Sequence, residues 1–299
     1  MEKISKFSSS LFSCIFLTME IFVVVLSGFF HALWNVIAKK SRSKMAFLLN
    51  VQCLSALAFF PYVATHLSLI QWSWPSTCLI GISMLLHGIY FVLLSRAYSV
   101  GDLSRVYPII RGSASLLVPL VAVTVLHEHL TLMGWCGVGG IVVGISLINE
   151  SSWSTKGWKK ILHPHTFAAL LVGISSATCI LIDKQAIRYC PIMTLNWIGT
   201  MGNIGMLLFF IRRSATIRRE WKKNSKWIFL GAILAPLSYL MFLWAIQTHQ
   251  VAQLAPIREI GTVFGIALGI FLLKERKGKQ RLLASICITT GIVLLSLNL

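Results

Sequence analysis

Long hydrophobic segments alternate with short polar segments along the whole chain. Ten apolar runs of roughly 18 to 24 residues are each long enough to cross the hydrocarbon core of a bilayer, about 30 Å thick, as an α-helix. We therefore predict an all-α membrane protein with ten transmembrane helices, numbered here in chain order. The predicted helices 1 to 10 cover residues 20–38, 46–65, 77–95, 103–126, 131–149, 166–187, 192–211, 227–246, 250–273 and 281–298.

The composition supports the membrane assignment and excludes a soluble protein. Of the 299 residues, 56% are hydrophobic and 12% are charged, and the mean hydropathy is +0.78. The net charge of +18 raises nucleic acid as a partner, but the basic residues lie in short interhelical loops. We therefore expect the lipid bilayer, and no nucleic acid, as a partner.

The distribution of basic residues predicts the orientation in the membrane. The segments after predicted helices 1, 3, 5, 7 and 9, together with Arg105 and Arg281 at the starts of the helices that follow, contain 21 of the 27 Lys and Arg residues. By the positive-inside rule these segments are cytoplasmic, and both termini lie outside the cytoplasm. The opposite side carries only Lys3, Lys6, Lys184 and Arg188.

The two halves of the chain follow one plan. Pro256-Ile257 repeats Pro108-Ile109 148 positions later, and Lys184 repeats Lys39 145 positions later. With five helices in each half, the second half enters the membrane in the opposite orientation, so we predict two inverted repeats. The repeats cover residues 19–150 and 165–299. Residues 1–18 are interpreted as an N-terminal extension, with Met19 as an alternative start.

Charged residues at membrane depth are the strongest functional signal, because each costs about 2.5 to 3.5 kcal/mol at a helix centre. Arg111 and Glu259 have opposite charge and occupy matching positions of the two repeats, which predicts an ion pair across a central cavity. Arg258 and Glu259 are consecutive and cannot share a helix face, so one of them must point elsewhere. The pair would either bind the substrate or a coupling proton, or be a structural ion pair that fixes the register of the helices.

Prolines precede these charges in both repeats. Pro108 and Pro256 each remove a backbone donor, which predicts a kink at matched positions of predicted helices 4 and 9. In transporters, interrupted helices at matched positions mark the substrate site.

Other polar side chains are candidates for the wall of the same cavity. His31 and Asn35 are four residues apart and share a helix face, and His87 lies within predicted helix 3. The alternative is that both histidines are core residues whose hydrogen bonds are satisfied. Further candidates are Tyr107, Asn196, Trp197, Asn203 and Tyr239.

The sequence lacks the motifs of several other functions. His127-Glu128-His129 does not have the His-Glu-x-x-His spacing of a zinc site, so we expect no metal. No phosphate-binding loop or dinucleotide motif is present, so we expect no cofactor and no ATP-driven or enzymatic reaction. Energy would come from an ion or substrate gradient.

The run from Ala97 to Pro108, continuing to Arg111-Gly112, together with Glu128, Pro256 and Glu275, resembles the EamA family of the drug/metabolite transporter superfamily. The segment from His31 to Asn35, with Lys39, resembles the first helix of one bacterial subgroup. The resemblance implies ten helices in two inverted repeats, a bacterial inner-membrane location and export or exchange of small metabolites, often linked to protons. It also implies structural roles for Glu128 and Glu275. Many members are described with cytoplasmic termini, in contrast to the charge distribution here.

These observations favour a secondary active transporter that exports or exchanges a small polar metabolite by alternating access. Arg111 would bind an anionic group of the substrate, and Glu259 would pair with Arg111 or carry a proton. The alternatives are a flippase-like protein that handles lipids, and a receptor or scaffold that transports nothing. Besides a small-molecule substrate, a second copy of the chain is a candidate partner.

Overall fold

The computed structural model describes the backbone of residues 2–100, 103–148, 164–211, 214–273 and 278–297, and these residues are helical apart from short connections. The prediction for Glu275 lies outside this part of the chain. The helices are α1 (Glu2–Lys40), α2 (Lys44–His66), α3 (Trp74–Val100), α4 (Leu103–Val125), α5 (Leu132–Ile148), α6 (Pro164–Ala186), α7 (Ile192–Phe210), α8 (Ser214–Thr248), α9 (Val251–Ile257), α10 (Ile260–Leu273) and α11 (Gly278–Ser296), with one 3-10 turn at Leu67–Leu69.

The helices occur where the hydrophobic runs predict them. Six described segments are long and apolar enough to cross a membrane, and three shorter apolar helices accompany them. The long segments are Thr18–Lys40, Lys44–Leu69, Trp74–Ser99, Phe167–Ala186, Ile192–Phe210 and Ser214–Thr248, and the shorter ones are Ile109–Val125, Leu132–Leu147 and Leu283–Ser296.

The polar segment between predicted helices 7 and 8 differs from the expectation of a loop. From Ser214 onward it forms the first turns of α8, and the helix bends at Asn224, whose φ of −122° and ψ of 23° are not helical. Arg, Lys and Glu are good helix formers, so this segment is helical despite its polarity.

Predicted helix 9 is interrupted, whereas predicted helix 4 is not. The chain leaves the α-helix after Ile257, and the amides of Gly261 and Thr262 bond three residues back, to Arg258 and Glu259. By contrast, α4 continues through Pro108, so the predicted break there is wrong. Each proline is the sixth residue of its helix, so its missing donor removes only the helical bond to the carbonyl of the second residue. The interruption follows Pro256 and does not coincide with it.

Glycines allow the closest helix contacts. A Cβ atom added at Gly137 of α5 would lie 2.7 Å from the carbonyl oxygen of Gly291 in α11. Elsewhere α1 packs against α8 and α10, and α3 packs against α6 and α7, while α4 packs against α5, α6 and α9. This arrangement brings helices from both halves around one internal cavity.

Candidate functional site

A cavity lies between helices of both halves. Helices α1, α2, α3, α4, α6, α7 and α8 contribute to its wall, together with Arg258, which follows α9. The wall is formed by His31, Trp34, Gln52, His87, Tyr90, Phe91, Arg111, Ser176, Cys179, Ile180, Asn196, Thr200, Asn203, Ala235, Pro236, Tyr239 and Arg258.

The predicted ion pair between Arg111 and Glu259 is present. Arg111 Nε lies 2.7 Å from Glu259 Oε2, and the two side chains are 6% and 4% exposed. The contact is an ion pair without hydrogen-bond geometry, because Nε and Nη2 of Arg111 have no hydrogen-bond partner among the described residues. Arg111 lies on the cavity wall, whereas Glu259 lies behind it. The positive charge of Arg111 is therefore neutralised within the protein.

Arg258 has a different environment from Arg111. Its Nε donates a hydrogen bond of 3.0 Å to Ser27 Oγ, and its Nη2 donates one of 3.1 Å to Ser238 Oγ. The guanidinium lies 4.6 Å from the ring centroid of Phe242. No carboxylate of the described residues forms a salt bridge with it. Arg258 is thus a buried cation on the cavity wall that forms no salt bridge with a described residue.

A reciprocal pair of hydrogen bonds fixes the two serines that hold Arg258. Ser27 Oγ donates to the carbonyl of Ser238 at 2.6 Å, and Ser238 Oγ donates to the carbonyl of Ser27 at 3.0 Å. These bonds join α1 to α8, so the acceptors of Arg258 are rigidly placed. Rigid placement of a charged group is a property of binding sites.

His31 lies between the two arginines. Its Nε2 is 3.4 Å from Arg111 Nη1, and its Nδ1 is 3.4 Å from Arg258 Nη2. Arginine only donates hydrogen bonds, and a neutral imidazole accepts at one nitrogen only. At most one of the two long contacts is therefore a hydrogen bond accepted by His31. The other arginine keeps an N–H group that can donate to another acceptor in the cavity.

Asp183 is a buried carboxylate that the sequence interpretation missed. It is 0% exposed and accepts hydrogen bonds from Ser83 Oγ at 2.5 Å, His87 Nε2 at 2.8 Å and Tyr239 Oη at 2.5 Å. A signal was present, since Asp183 is the only acidic residue within predicted helix 6. Its position close to the end of that hydrophobic run, beside Lys184, makes this signal weaker than that of a charge at the helix centre.

Four predicted cavity residues, Asn35, Tyr107, Trp197 and Glu259, are not on the wall within the described part of the chain. Asn35 shares a face with His31, as predicted, but its amide donates to the carbonyl of His31 and accepts from the hydroxyl of Tyr98, each at 2.7 Å. Asn35 therefore joins α1 to α3. The ring of Tyr107 lies 6.0 Å from the Arg111 guanidinium.

Of the weaker candidates, Asn196 and Asn203 are on the wall and Trp197 is not. Asn203 Nδ2 donates to Gln52 Oε1 at 3.1 Å, whereas Trp197 Nε1 donates to the carbonyl of Ala56 at 2.9 Å. The amides of Asn196 and Asn203 place polar groups on a cavity wall that also includes aromatic rings of α1 and α3.

Glu128 has a structural position, as the resemblance implies. Its two carboxylate oxygens accept hydrogen bonds from the backbone amides of Val251, at 3.1 Å, and Ala252, at 2.7 Å. These amides are the first of α9, where helical bonds leave them without a partner. Glu128 thereby attaches the end of α4 to the start of the interrupted helix.

The fold and the cavity define a class: a helical membrane protein with charged residues around an internal polar cavity. The model of the EamA-like transporter family matches residues 18–150 and 164–297, so it matches the chain twice. The chain belongs to this family, whose members are drug/metabolite-type transporters and not enzymes.

Comparison with solved structures shows the same fold elsewhere. One crystal structure superposes with a TM-score of 0.67 over 94% of this chain and 96% of that chain, at 15% sequence identity. At this identity the likeness concerns the fold alone. Comparison with curated protein sequences finds no match.

Proposed function

We propose that this protein is a secondary active transporter that exports or exchanges a small anionic metabolite across the bacterial inner membrane by alternating access. The observation that carries the proposal is Arg258, a buried cation on the cavity wall without a carboxylate partner in the described chain. Burying an unpaired charge is costly, so a site of this kind is best occupied by a ligand of opposite charge.

The anion site is assigned to Arg258 first and to Arg111 second. This order differs from the expectation from sequence, because Glu259 already neutralises Arg111 at 2.7 Å. Trp34 Nε1 and Arg111 Nη2 are buried donors without a partner in the described part of the chain, and both residues are on the wall. A carboxylate or phosphate group accepts several such hydrogen bonds at once.

The architecture proposed for alternating access is ten transmembrane helices in two inverted repeats, with both termini outside the cytoplasm. Matched contacts support the repeat. Gly28 of α1 is close to the backbone of Arg258 and Gly261, and the matching Gly173 of α6 is close to Ile110 and Ser113 of α4. The Arg111–Glu259 pair then joins the two halves at midplane depth, where an exchange of partners would accompany the change of state.

Counterflow in proteoliposomes tests the proposal. The three probe anions are succinate, glutamate and glycerol 3-phosphate. A thermal-shift screen of the purified protein selects the anion that binds, and its radiolabelled form is the substrate of the counterflow assay. We expect counterflow by the wild type and by Arg96→Gln, whose exposed side chain lies over Phe210. Arg258→Gln should weaken apparent affinity by roughly 30-fold or more, because it removes a buried charge contact.

Two results would contradict the proposal. One is the absence of counterflow in the wild type with all three probe anions. The other is wild-type affinity in Arg258→Gln, which would mean that the cation does not contact the transported anion.

A further inference from the structure

The strongest unassigned feature is the cluster formed by Ser83, His87, Asp183 and Tyr239, here called the Asp183 cluster. It joins α3 of the first half to α6 and α8 of the second half. His87 and Tyr239 are on the cavity wall, while Asp183 lies behind them and is 0% exposed. The cluster therefore connects a fully buried carboxylate to the cavity through two side chains.

The hydrogen bonds indicate the charge state of Asp183. Two hydroxyl groups and one imidazole nitrogen share its two oxygens, and each hydroxyl has its oxygen 2.5 Å away. An ionised carboxylate only accepts hydrogen bonds, so it can take all three donors. Asp183 is thus best described as a buried anion.

A buried anion requires a counter-charge. No Lys or Arg side chain in the described chain forms a salt bridge with Asp183, and His87 is its partner at 2.8 Å. Adjacent Lys184 points elsewhere, because its ammonium donates to the carbonyls of Ile246 and His249. The charge that balances Asp183 is therefore either a proton on His87 or a cationic group in the cavity.

Glu259 is the competing proton carrier. Its carboxylate is in an ion pair with Arg111, so taking up a proton would leave a buried arginine without its partner. Taking up a proton at His87 has the opposite effect, since it neutralises a buried carboxylate. The comparison therefore favours the Asp183 cluster over Glu259 as the proton-binding site.

We propose that His87 and Asp183 form the proton-binding site of this transporter, and that the proton binds together with an anionic substrate. The proposal rests on the proposed function. In this step, neutral His87 takes a proton from a hydronium ion that enters the cavity, which leaves water, and becomes imidazolium with Asp183 accepting its Nε2–H. The cavity then gains one positive charge, which attracts the anion to Arg258.

Tyr239 lies between the two sites. Its hydroxyl donates to Asp183, and its ring centroid is 5.5 Å from the guanidinium of Arg258. An anion on Arg258 is therefore separated from the Asp183 cluster by one side chain. At such distances in a poorly solvated cavity, the charges of the proton and of the anion stabilise one another.

The remaining polar and titratable groups around the Asp183 cluster are as follows. The elements packed against α3 and α6 contribute amides from α2 and α7, Gln52 and Asn196, which do not titrate. The titratable and charged groups on the cavity wall around His87 are His31, Tyr90, Arg111, Cys179, Tyr239 and Arg258. Tyr107 and Glu259 lie behind the wall, beside Arg111.

Accumulation driven by a pH gradient tests the inference. Proteoliposomes receive a probe anion selected above and a gradient of about one pH unit, which supports up to about tenfold accumulation for each proton moved. The accumulation of the anion under the gradient is divided by the counterflow activity of the same vesicles at equal pH. The ratio then does not depend on how much of the protein is folded. We expect Asp183→Asn and His87→Gln to lower this ratio to that of simple equilibration.

Glu220→Gln is the matched control, because it changes another buried carboxylate, one bonded to Ser43 and Asn224 away from the cavity.

The possible failures are distinguishable. Counterflow in the wild type without a response to the gradient would overturn the proton site and leave the transporter intact. An unchanged ratio in both Asp183→Asn and His87→Gln would do the same. Absence of wild-type counterflow would overturn the proposed function and the proton site together.

Discussion

Lys39 donates a hydrogen bond of 3.1 Å from its ammonium group to the backbone carbonyl of Tyr98, which joins the end of α1 to the end of α3. The matching Lys184 donates to the carbonyls of Ile246 and His249, which joins α6 to the end of α8. Tyr98 and Ile246 are themselves 148 positions apart. A repeat seen in the sequence thus corresponds to a repeated contact.

Lys184→Met should lower stability, because it leaves the carbonyls of Ile246, in the last turn of α8, and His249, just after it, without their donor. Loss of such a bond at a half-buried site costs about 1–3 kcal/mol. The measurement is the midpoint of thermal unfolding in detergent, with Lys222→Met at an exposed position of α8 as control. An equal midpoint for both variants would show that the repeated contact contributes little.

The Arg111–Glu259 pair predicts a strongly non-additive mutant cycle. Arg111→Gln or Glu259→Gln alone leaves the other charge buried and unpaired, which costs about 3–5 kcal/mol. The double variant leaves no charge and should be more stable than either single variant. Unfolding in detergent measures all three, and additive losses would contradict the pair.

Transport by the same variants separates stability from function. We expect neither single variant nor the double variant to transport the probe anions, although all insert into the membrane. Wild-type transport by both Arg111→Gln and Glu259→Gln would remove the pair from the transport cycle.

Much of the fold follows from the sequence because the bilayer imposes a length on each helix. Apolar runs of that length are visible without knowledge of tertiary contacts. The Arg111–Glu259 pair was also predictable, because opposite charges at matched positions of a repeat have few other partners available inside a membrane.

The Asp183 cluster was not predictable in the same way. Its four members come from three helices, and neither Ser83 nor Tyr239 has a spacing that points to Asp183. The orientations of Arg258 and Glu259 depend on the break after Ile257, which the preceding proline does not locate. Asn35 has the predicted helix face but bonds to Tyr98, a contact that only packing of α1 on α3 creates.

Gly28→Ala should destabilise the junction that carries Arg258. A Cβ atom at Gly28 would lie 2.7 Å from the carbonyl oxygen of Arg258 and 3.1 Å from the amide nitrogen of Gly261. Because these are backbone atoms, α1 must move away, and overpacking of this kind costs about 1–3 kcal/mol. We also expect weaker binding of the probe anions, measured by thermal shift.

Gly81→Ala is the matched control for Gly28→Ala. A Cβ atom there meets nothing within 4 Å, and alanine favours a helix over glycine by about 0.5–1 kcal/mol. Equal effects of the two substitutions would mean that the close contact at Gly28 has no energetic consequence.

Orientation in the membrane is tested by labelling single cysteines, in a background where the seven native cysteines are replaced by serine. His129 lies in the exposed connection between α4 and α5, and Lys222 lies in the exposed first part of α8. From the positive-inside rule we expect a membrane-impermeant maleimide to label His129→Cys in intact cells, and Lys222→Cys only after permeabilisation. The reverse pattern would place both termini in the cytoplasm, in agreement with the description of many family members. Because the basic residues near Lys222 are many and those near His129 are absent, the reverse pattern would also mean that loop charge does not orient this chain.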